Sequence, residues 1–267
     1  ICDEFERALN GEYSTLLMSI APQSGKTCLT NLFISYYIAK YPKRSVLYCT
    51  YNSDRAEAYT KNELMGTMFS DMYRELFPHI KFKFDLDEEE NTTKNKLKRK
   101  KSTLTDRSFS ILVADKDGKI NQSDNNRGRF LAAGVGQGIA GTPAHLIVVD
   151  DALASKSDAD SEVIRRKTRK WVKNDVLSRA QPNATKVFIN TRWHSEDPIG
   201  MMLEEYETES KRGNLNYPKP TYVNFPAKLE AHHEKHRLDN RLVGEYLWNV
   251  YLEKYAIAQA DEEEWFS

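Results

Sequence analysis

Short apolar runs alternate with longer segments of helical periodicity over the first 200 residues of the chain. Runs of strand length lie at 14–21, 45–50, 145–151 and 185–194. Strands that alternate with helices form a parallel sheet covered by helices on both faces. We therefore predict an α/β fold, a three-layer sandwich around a central, mostly parallel sheet.

The predicted helices have apolar faces that can be named from the spacing. The helix after Lys26 is predicted to end near Pro42 and to bury one stripe, formed by Leu29, Leu32, Phe33 and Tyr36. The helix over 161–180 is rich in Lys and Arg, and its predicted apolar face is formed by Ile164, Trp171, Val172 and Val176. Further helices are predicted from residue 53 to Pro78 and from residue 195, with Pro198 in the first turn.

Two segments lack this order. Residues 85–101 place an acidic block beside a basic one with little to bury, so we predict an exposed insertion, with a DNA-contacting loop as the alternative. From about residue 214 the pattern breaks into short pieces around three prolines, and a last helical stretch is predicted to follow.

Composition narrows the possible partners only slightly. Lys plus Arg equals Asp plus Glu at 39 each, so any nucleic-acid surface must come from local clustering of basic residues. Three cysteines, Cys2, Cys28 and Cys49, form no paired framework, which favours a reducing compartment. The longest apolar runs have the length of strands, so neither a membrane span nor a signal peptide is predicted.

The stretch "SIAPQSGKTCLTNLF", which joins the first strand to the first long helix, has the end of a phosphate-binding loop. In such a loop, backbone N–H groups and the helix N-terminus bind phosphate, Lys26 reaches the β and γ phosphates, and the Thr27 hydroxyl binds Mg²⁺. The usual pattern begins with glycine where this chain has Ile20. The predicted nucleotide-binding residues are Gln23, Ser24, Gly25, Lys26, Thr27 and Cys28. The alternative is a chance Gly-Lys-Thr at a helix start.

Two further strands end in polar residues, and ligands of such sheets bind at the carboxyl ends of the strands. Asp150 is predicted to hold Mg²⁺, and Asp151 to orient the attacking water. The alternative for this pair is helix capping. Thr191, in the sequence Thr191 to His194, could sense the γ phosphate, and the alternative there is a strand end with a core tryptophan. Together the three strand ends predict an enzyme that hydrolyses ATP with Mg²⁺.

The order of these motifs resembles the large subunit of tailed-bacteriophage terminase, the ATP-driven DNA-packaging motor. Four blocks of this sequence match the pattern of the family. They are Ala21 to Thr27, Gly134 to Asp151, the basic helix that ends at Ser178 and Arg179, and Thr191 to Gly200. The last block, "TRWHSEDPIG", is the most specific. The resemblance covers the chain from the first strand to about Gly200.

This resemblance implies a P-loop ATPase core of the ASCE type over 1–200 and a lid or linker over 201–267. It assigns Lys26 and Thr27 to the Walker A motif, Asp150 and Asp151 to Walker B, and Thr191 to the coupling motif. It implies double-stranded DNA, a portal protein and a small terminase subunit as partners. It also implies a homo-oligomeric ring on the portal, with a monomer possible in isolation, in the cytoplasm of an infected bacterial host. A nuclease domain normally follows, and we expect this chain to stop before it and to lack nuclease activity.

The sequence departs from the family at two arginines. Gln23 stands where an arginine is common, and "GIAGTPAH" contains no arginine before the Walker B acids. An arginine finger is therefore sought elsewhere, and the candidates are Arg127, Arg129 and Arg179.

Three functions remain open from the sequence. These are a packaging ATPase, a superfamily-two-like helicase or translocase, and a non-catalytic nucleotide-dependent assembly module. For the three histidines His232, His233 and His236, a solvated helix face is favoured over a metal site.

Overall fold

The computed structural model describes residues 1–82, 107–115, 117–120, 127–139, 141–233, 235–237 and 239–247. The charged segment predicted to be an exposed insertion, 85–101, lies wholly outside these residues. Eight strands form a single sheet in the order β3-β4-β5-β2-β6-β7-β1-β8. These strands are β1 Thr15–Ile20, β2 Val46–Thr50, β3 Ile80–Phe82, β4 Ser108–Val113, β5 Gly128–Gly134, β6 Ala144–Asp150, β7 Ala180–Asn190 and β8 Thr221–Phe225.

The sheet is mostly parallel, as predicted. The pairs that join β5, β2, β6, β7, β1 and β8 are all parallel, while β4 runs antiparallel to both of its neighbours. Leu146, Ile147, Val148 and Val149 of β6 are fully buried, so this strand contacts helices on both faces. The predicted strand core is therefore confirmed. The last four residues of the predicted strand at 185–194 lie beyond β7 in a loop.

Helices cover both faces of the sheet. One face carries α1 Cys2–Leu9, α2 Lys26–Lys40, α3 Ser53–Ala58, a π-helical turn Tyr59–Leu64, α4 Met65–Met68 and α5 Asp71–Leu76. On the other face pack α7 Glu162–Trp171, a π-helical turn Val172–Val176 and α8 Pro198–Lys211. A short helix, α6 Lys156–Asp160, precedes α7, and a 3₁₀ turn, Leu177–Arg179, leads into β7. The fold is an α/β three-layer sandwich.

The buried side of α2 differs from the predicted stripe. Phe33 is buried, but Leu32 and Tyr36 are 54% and 42% exposed, and Ile34, Tyr37 and Ile38 face the core instead. The helix has apolar residues around most of its circumference, so spacing alone did not define one face. The sheet selects the buried side by tertiary contact.

The apolar face predicted for the basic helix is correct at Trp171, Val172 and Val176 and wrong at Ile164, which is 37% exposed. The helix changes from α to π at Val172, and a π turn contains more residues than an α turn. One α-helical periodicity therefore cannot describe the whole segment. Arg165 occupies the inward position, where it donates to the carbonyl of Ala159 and to Glu196.

Residues after α8 add to the central sheet. β8 lies parallel to β1, with Leu16 opposite Thr221 and Ile20 opposite Phe225. The predicted division at residue 200 stays a prediction, but part of the segment assigned to the lid is the edge strand beside the phosphate-loop strand. The predicted final helix is wrong for its described part, because residues up to Leu247 form turns and a bridge between Lys228 and Tyr246. Residues 248–267 lie outside the described part.

Candidate nucleotide site

The three strands that end in polar residues are neighbours in the sheet. β6 pairs with β7, and β7 pairs with β1, all in parallel, so their carboxyl ends meet at one edge. The predicted phosphate loop, Asp151 and Thr191 all lie at this edge. The site predicted from separate motifs is therefore one place in the fold.

The loop between β1 and α2 is a tight turn. Gly25 has φ of 79° and directly precedes α2, a conformation that favours glycine because it has no Cβ. Gln23 also has a positive φ, 56°, which for a residue with an unbranched polar side chain costs about 1–2 kcal/mol. Backbone strain of this kind persists where the surrounding structure enforces it, often at ligand sites.

Ile20 fits the site although glycine is usual at its position. Its side chain is buried in the core at the end of β1, and its carbonyl oxygen accepts a hydrogen bond from Lys26 Nζ at 3.4 Å. The contact uses the backbone alone, so the side chain is free to pack into the core. Of the other predicted binding residues, Ser24 donates to the carbonyl of Pro22, Thr27 is half-buried, and Cys28 is exposed on the first turn of α2.

Lys26 is the centre of a polar network. Its Nζ donates to Thr191 Oγ1 at 2.7 Å and to the carbonyl of Ala21 at 3.1 Å, and it lies 3.8 Å from Asp151 Oδ2. The backbone N–H of Thr191 donates to Asp151 Oδ1 at 2.7 Å. Three residues from three different motifs thus contact one another directly. An ammonium donor, a carboxylate and a hydroxyl thus lie at one point of the edge.

Asp151 also has an unusual backbone. Its φ is 40°, and its N–H donates to the carbonyl of Ile189 on β7. This conformation turns the chain at the end of β6, so that Asp150 and Asp151 face different surroundings. Asp151 is partly exposed at the edge, whereas Asp150 is buried.

Asp150 is suited to a cation. Burial, and then the neighbouring Asp151 carboxylate, raise the pKa of Asp150 well above its usual range. Its Oδ2 accepts a hydrogen bond from the Tyr48 hydroxyl at 2.8 Å, while its Oδ1 has no hydrogen-bond partner among the described residues. A buried carboxylate oxygen without a partner is costly, and a divalent cation or its bound water would satisfy it. The unpartnered oxygen of Asp150 therefore fits the predicted Mg²⁺ site, and Thr27, the other predicted ligand, is half-buried in the first turn of α2.

The block from Thr191 to Gly200 contains residues with structural roles. Asp197 caps α8 by accepting from the N–H of Gly200 at 2.8 Å, and its Oδ2 lies 2.6 Å from Arg192 Nε in an ion pair. A Cβ on Gly200 would lie 1.6 Å from the carbonyl oxygen of Ser195, so only glycine fits there. This part of the block shapes the loop that follows Thr191.

None of the three arginine candidates lies at this edge. Phe130 is opposite Val46, the first residue of β2, so Arg127 and Arg129 are at the amino ends of the parallel strands. Ala180 is opposite Ala144, the first residue of β6, which places Arg179 at the same amino edge. These arginines cannot reach the Lys26 network of their own chain, and a role in a neighbouring subunit stays a prediction.

Sequence reasoning missed Tyr48 and the groove beside the loop. Tyr48 lies within the apolar run 45–50. Between the polar residues at the two ends of this run, its hydroxyl was the one signal that the sequence offered. The groove, about 350 Å³ in volume, is bounded by the ends of β1, β7 and β8 and includes Pro22, Arg192 and Tyr222. The edge strand β8 forms one wall, and its place in the sheet could not be read from the sequence.

Among the described residues, no group of three or more His, Cys, Asp or Glu side chains could hold a metal ion by itself. The helix face predicted for His232, His233 and His236 is wrong, because the described residues of this segment form turns, and His236 lies 3.6 Å from the buried Glu4. Across the described ranges, no helix combines the length and apolar character needed to cross a membrane.

The fold is an α/β three-layer sandwich, and its glycine turn between β1 and α2 has the place that a phosphate-binding loop has in a P-loop fold. No family model matches the chain, and no curated protein matches it significantly. Among solved structures, the chain is similar to a mutant form of the Thermus phage P74-26 large terminase ATPase domain, with 11% identity, a TM-score of 0.44 and coverage of 84% of this chain and 80% of that chain.

A second similarity is to the large terminase from the thermophilic bacteriophage D6E in complex with ADP. Identity is 12%, the TM-score is 0.42, and 84% of this chain and 45% of that chain are covered. This chain thus spans less than half the length of the D6E protein.

Proposed function

We propose that this chain hydrolyses ATP with Mg²⁺ to move double-stranded DNA into a viral procapsid. The proposal of ATP hydrolysis rests on the direct contact of Lys26 with Thr191 and of Thr191 with Asp151. The packaging role is supported by the order of the four sequence blocks that resemble terminase large subunits. The proposed partners are a portal protein, a small terminase subunit and further copies of this chain in a ring, in the cytoplasm of the infected host.

In this proposal Lys26 exchanges its contacts with Thr191 and the loop carbonyls for oxygens of the β and γ phosphates. Asp150 and Thr27 would hold Mg²⁺, which supplies positive charge to the phosphates when bound. Asp151 accepts a hydrogen bond from the attacking water and orients it toward the γ phosphorus. The bond from that phosphorus to the β–γ bridging oxygen breaks as the bond to water forms, the bridging oxygen leaves with the electron pair on ADP, and the proton of the water passes to the Asp151 carboxylate.

Thr191 is the proposed link between hydrolysis and motion. It shares contacts with both Lys26 and Asp151, so a change at either residue alters the end of β7. Arg192 and Asp197 then connect this strand end to the start of α8. A displacement at the nucleotide thus has a continuous path of contacts to the face that α8 occupies.

The test is ATP turnover by purified variants. Lys26→Ala and Asp151→Ala are each expected to lower kcat by about 100-fold or more, because each removes a charged group that acts on the reacting phosphate or water. Matched controls are Lys211→Ala and Asp71→Ala, which remove exposed side chains of the same types from helices elsewhere. Turnover close to wild type in either site variant would contradict the proposal.

The choice of nucleic acid separates the alternatives. A packaging ATPase is expected to be stimulated by double-stranded DNA, whereas a helicase is expected to respond to single strands and to separate a duplex. ATP binding with no turnover under any of these conditions would instead favour the non-catalytic assembly module. The same assays with plasmid DNA test the expectation that this chain does not cut DNA.

A further inference from the structure

The two oxygens of Asp150 have different surroundings. Oδ2 accepts a hydrogen bond from the Tyr48 hydroxyl at 2.8 Å, and Oδ1 has no hydrogen-bond partner in the described part of the chain. Both side chains are buried, so bulk water does not satisfy them. A carboxylate held by one oxygen keeps the other in a fixed direction.

Tyr48 is placed by the sheet. Tyr48 of β2 is directly opposite Val148 of β6, and Asp150 is two residues further along β6, on the same face of the sheet. The Tyr48 ring stacks on the ring of Tyr59, with centroids 3.8 Å apart and planes 9° apart. Tyr48 is fully buried between the sheet and the π-helical turn that begins at Tyr59, so its hydroxyl has little freedom to move.

A tyrosine hydroxyl has a particular advantage beside a cation site. It donates a hydrogen bond to the ionised carboxylate without adding positive charge, whereas lysine or arginine in the same place would repel a divalent cation. Partners that orient a metal-binding carboxylate in this way usually change metal affinity when they are removed.

We propose that Tyr48 is a positioning residue for Asp150. It holds Oδ2 and leaves Oδ1 directed to Mg²⁺ or to a water bound by Mg²⁺. This inference rests on the proposed role of Asp150 as the metal residue, and it adds a residue that acts through Asp150 rather than on the nucleotide.

The experiment measures metal affinity directly. Mn²⁺ replaces Mg²⁺, and its binding to the purified chain saturated with ADP is followed by electron paramagnetic resonance. Tyr48→Phe is expected to weaken Mn²⁺ binding by about tenfold or more. The matched control is Tyr59→Phe, because the Tyr59 hydroxyl is equally buried, belongs to the stacked partner ring and has no hydrogen-bond partner among the described residues. It is expected to bind Mn²⁺ within about twofold of wild type. Circular dichroism confirms that each variant is folded.

A double variant makes the test independent of general damage to the fold. If Tyr48 acts through Asp150, adding Tyr48→Phe to Asp150→Asn leaves Mn²⁺ affinity at the value of Asp150→Asn alone. An additive loss, an unchanged affinity in Tyr48→Phe, or an equal loss in Tyr59→Phe would each overturn the positioning role. Failure of Asp150→Asn to weaken Mn²⁺ binding would instead overturn the proposed metal role of Asp150.

Discussion

The two edges of the parallel sheet differ in how their charged side chains are buried and paired. At the carboxyl edge Lys26 and Asp150 are buried and contact partners from distant parts of the chain, and the buried Asp197 pairs with Arg192 of the same loop. At the amino edge Arg129 is exposed, and the side-chain hydrogen bonds of Arg179 to described residues go to near neighbours in sequence, Asp175 and Ser178. Burying a charged group costs free energy unless the group is paired. The contacts that stabilise buried charges are therefore found at the carboxyl edge, whereas the amino edge leaves its arginines closer to solvent.

The two edges also differ in which residues adopt a backbone conformation with positive φ. Gln23 and Asp151 have positive φ at the carboxyl edge, where loops must turn sharply around the site. The comparable residue near the amino edge is Asn183, in the irregular first part of β7, and asparagine adopts this conformation more readily than most residues. The comparison indicates that the carboxyl edge has little tolerance for change, which substitutions at each edge can test.

The largest effect is expected from Gly200→Ala at the carboxyl edge. The added Cβ would overlap the carbonyl oxygen of Ser195, so the loop or the start of α8 must move, and we expect a loss of about 3 kcal/mol or more in the free energy of unfolding. Urea unfolding measures it.

The control for that substitution is Gly66→Ala, on α4. Apart from its chain neighbours and the backbone of its own helix, no described heavy atom lies within 4 Å of the position its Cβ would take, so this change is expected to stabilise by about 0.5–1 kcal/mol through helix propensity. Similar stability in the two variants would contradict the tight packing described for the loop.

A smaller effect is expected from Asp197→Asn, and it depends on pH. Burial raises the pKa of Asp197 from 3.8 to about 6 in spite of the Arg192 charge. The native form therefore binds this proton more tightly than the unfolded chain, and the stability from the neutral carboxyl is lost as pH rises through about 6. Between about pH 5.5 and 8, the wild type should lose about 1 kcal/mol that the asparagine variant does not lose.

Urea unfolding of both proteins at the two pH values measures this difference. Other titrating groups are common to both proteins and cancel in the comparison. An identical pH dependence for wild type and Asp197→Asn would mean that the buried carboxyl titrates normally.

The smallest effects are expected at the amino edge. Arg127→Ala, Arg129→Ala and Arg179→Ala should each change ADP affinity of the isolated chain by less than about twofold, because these residues lie at the opposite end of the strands from the phosphate loop. Fluorescence titration with a labelled ADP measures this. A large loss of affinity in any of the three would break the comparison between the edges. Loss of turnover confined to an assembled ring would identify the arginine finger.

The sequence was sufficient where one strong local signal determines the outcome. Four adjacent apolar residues specified the buried strand β6, and Gly25 with Lys26 specified the turn into α2. The meeting of Lys26, Asp151 and Thr191 followed from the rule that parallel strands end at a common edge.

The remaining features depend on contacts between distant residues. Which side of α2 is buried, the switch to π geometry at Val172 and the pairing of β8 with β1 are decided by tertiary packing. Tyr48 reads as an ordinary core residue, because its role depends on a hydrogen bond to a side chain 102 positions away. Periodicity and short motifs contain no information on such pairs.

The position of β1 between β7 and β8 has a consequence for exchange of backbone hydrogens with solvent. All six residues of β1 are buried, and the strand is paired on both sides. Its amides should therefore exchange only when the whole domain opens, while those of the adjoining loop exchange through small local openings. Nucleotide binding would then slow exchange in the loop, residues 21–25, and leave the strand unchanged, so the loop reports on ligand binding and the strand on global unfolding.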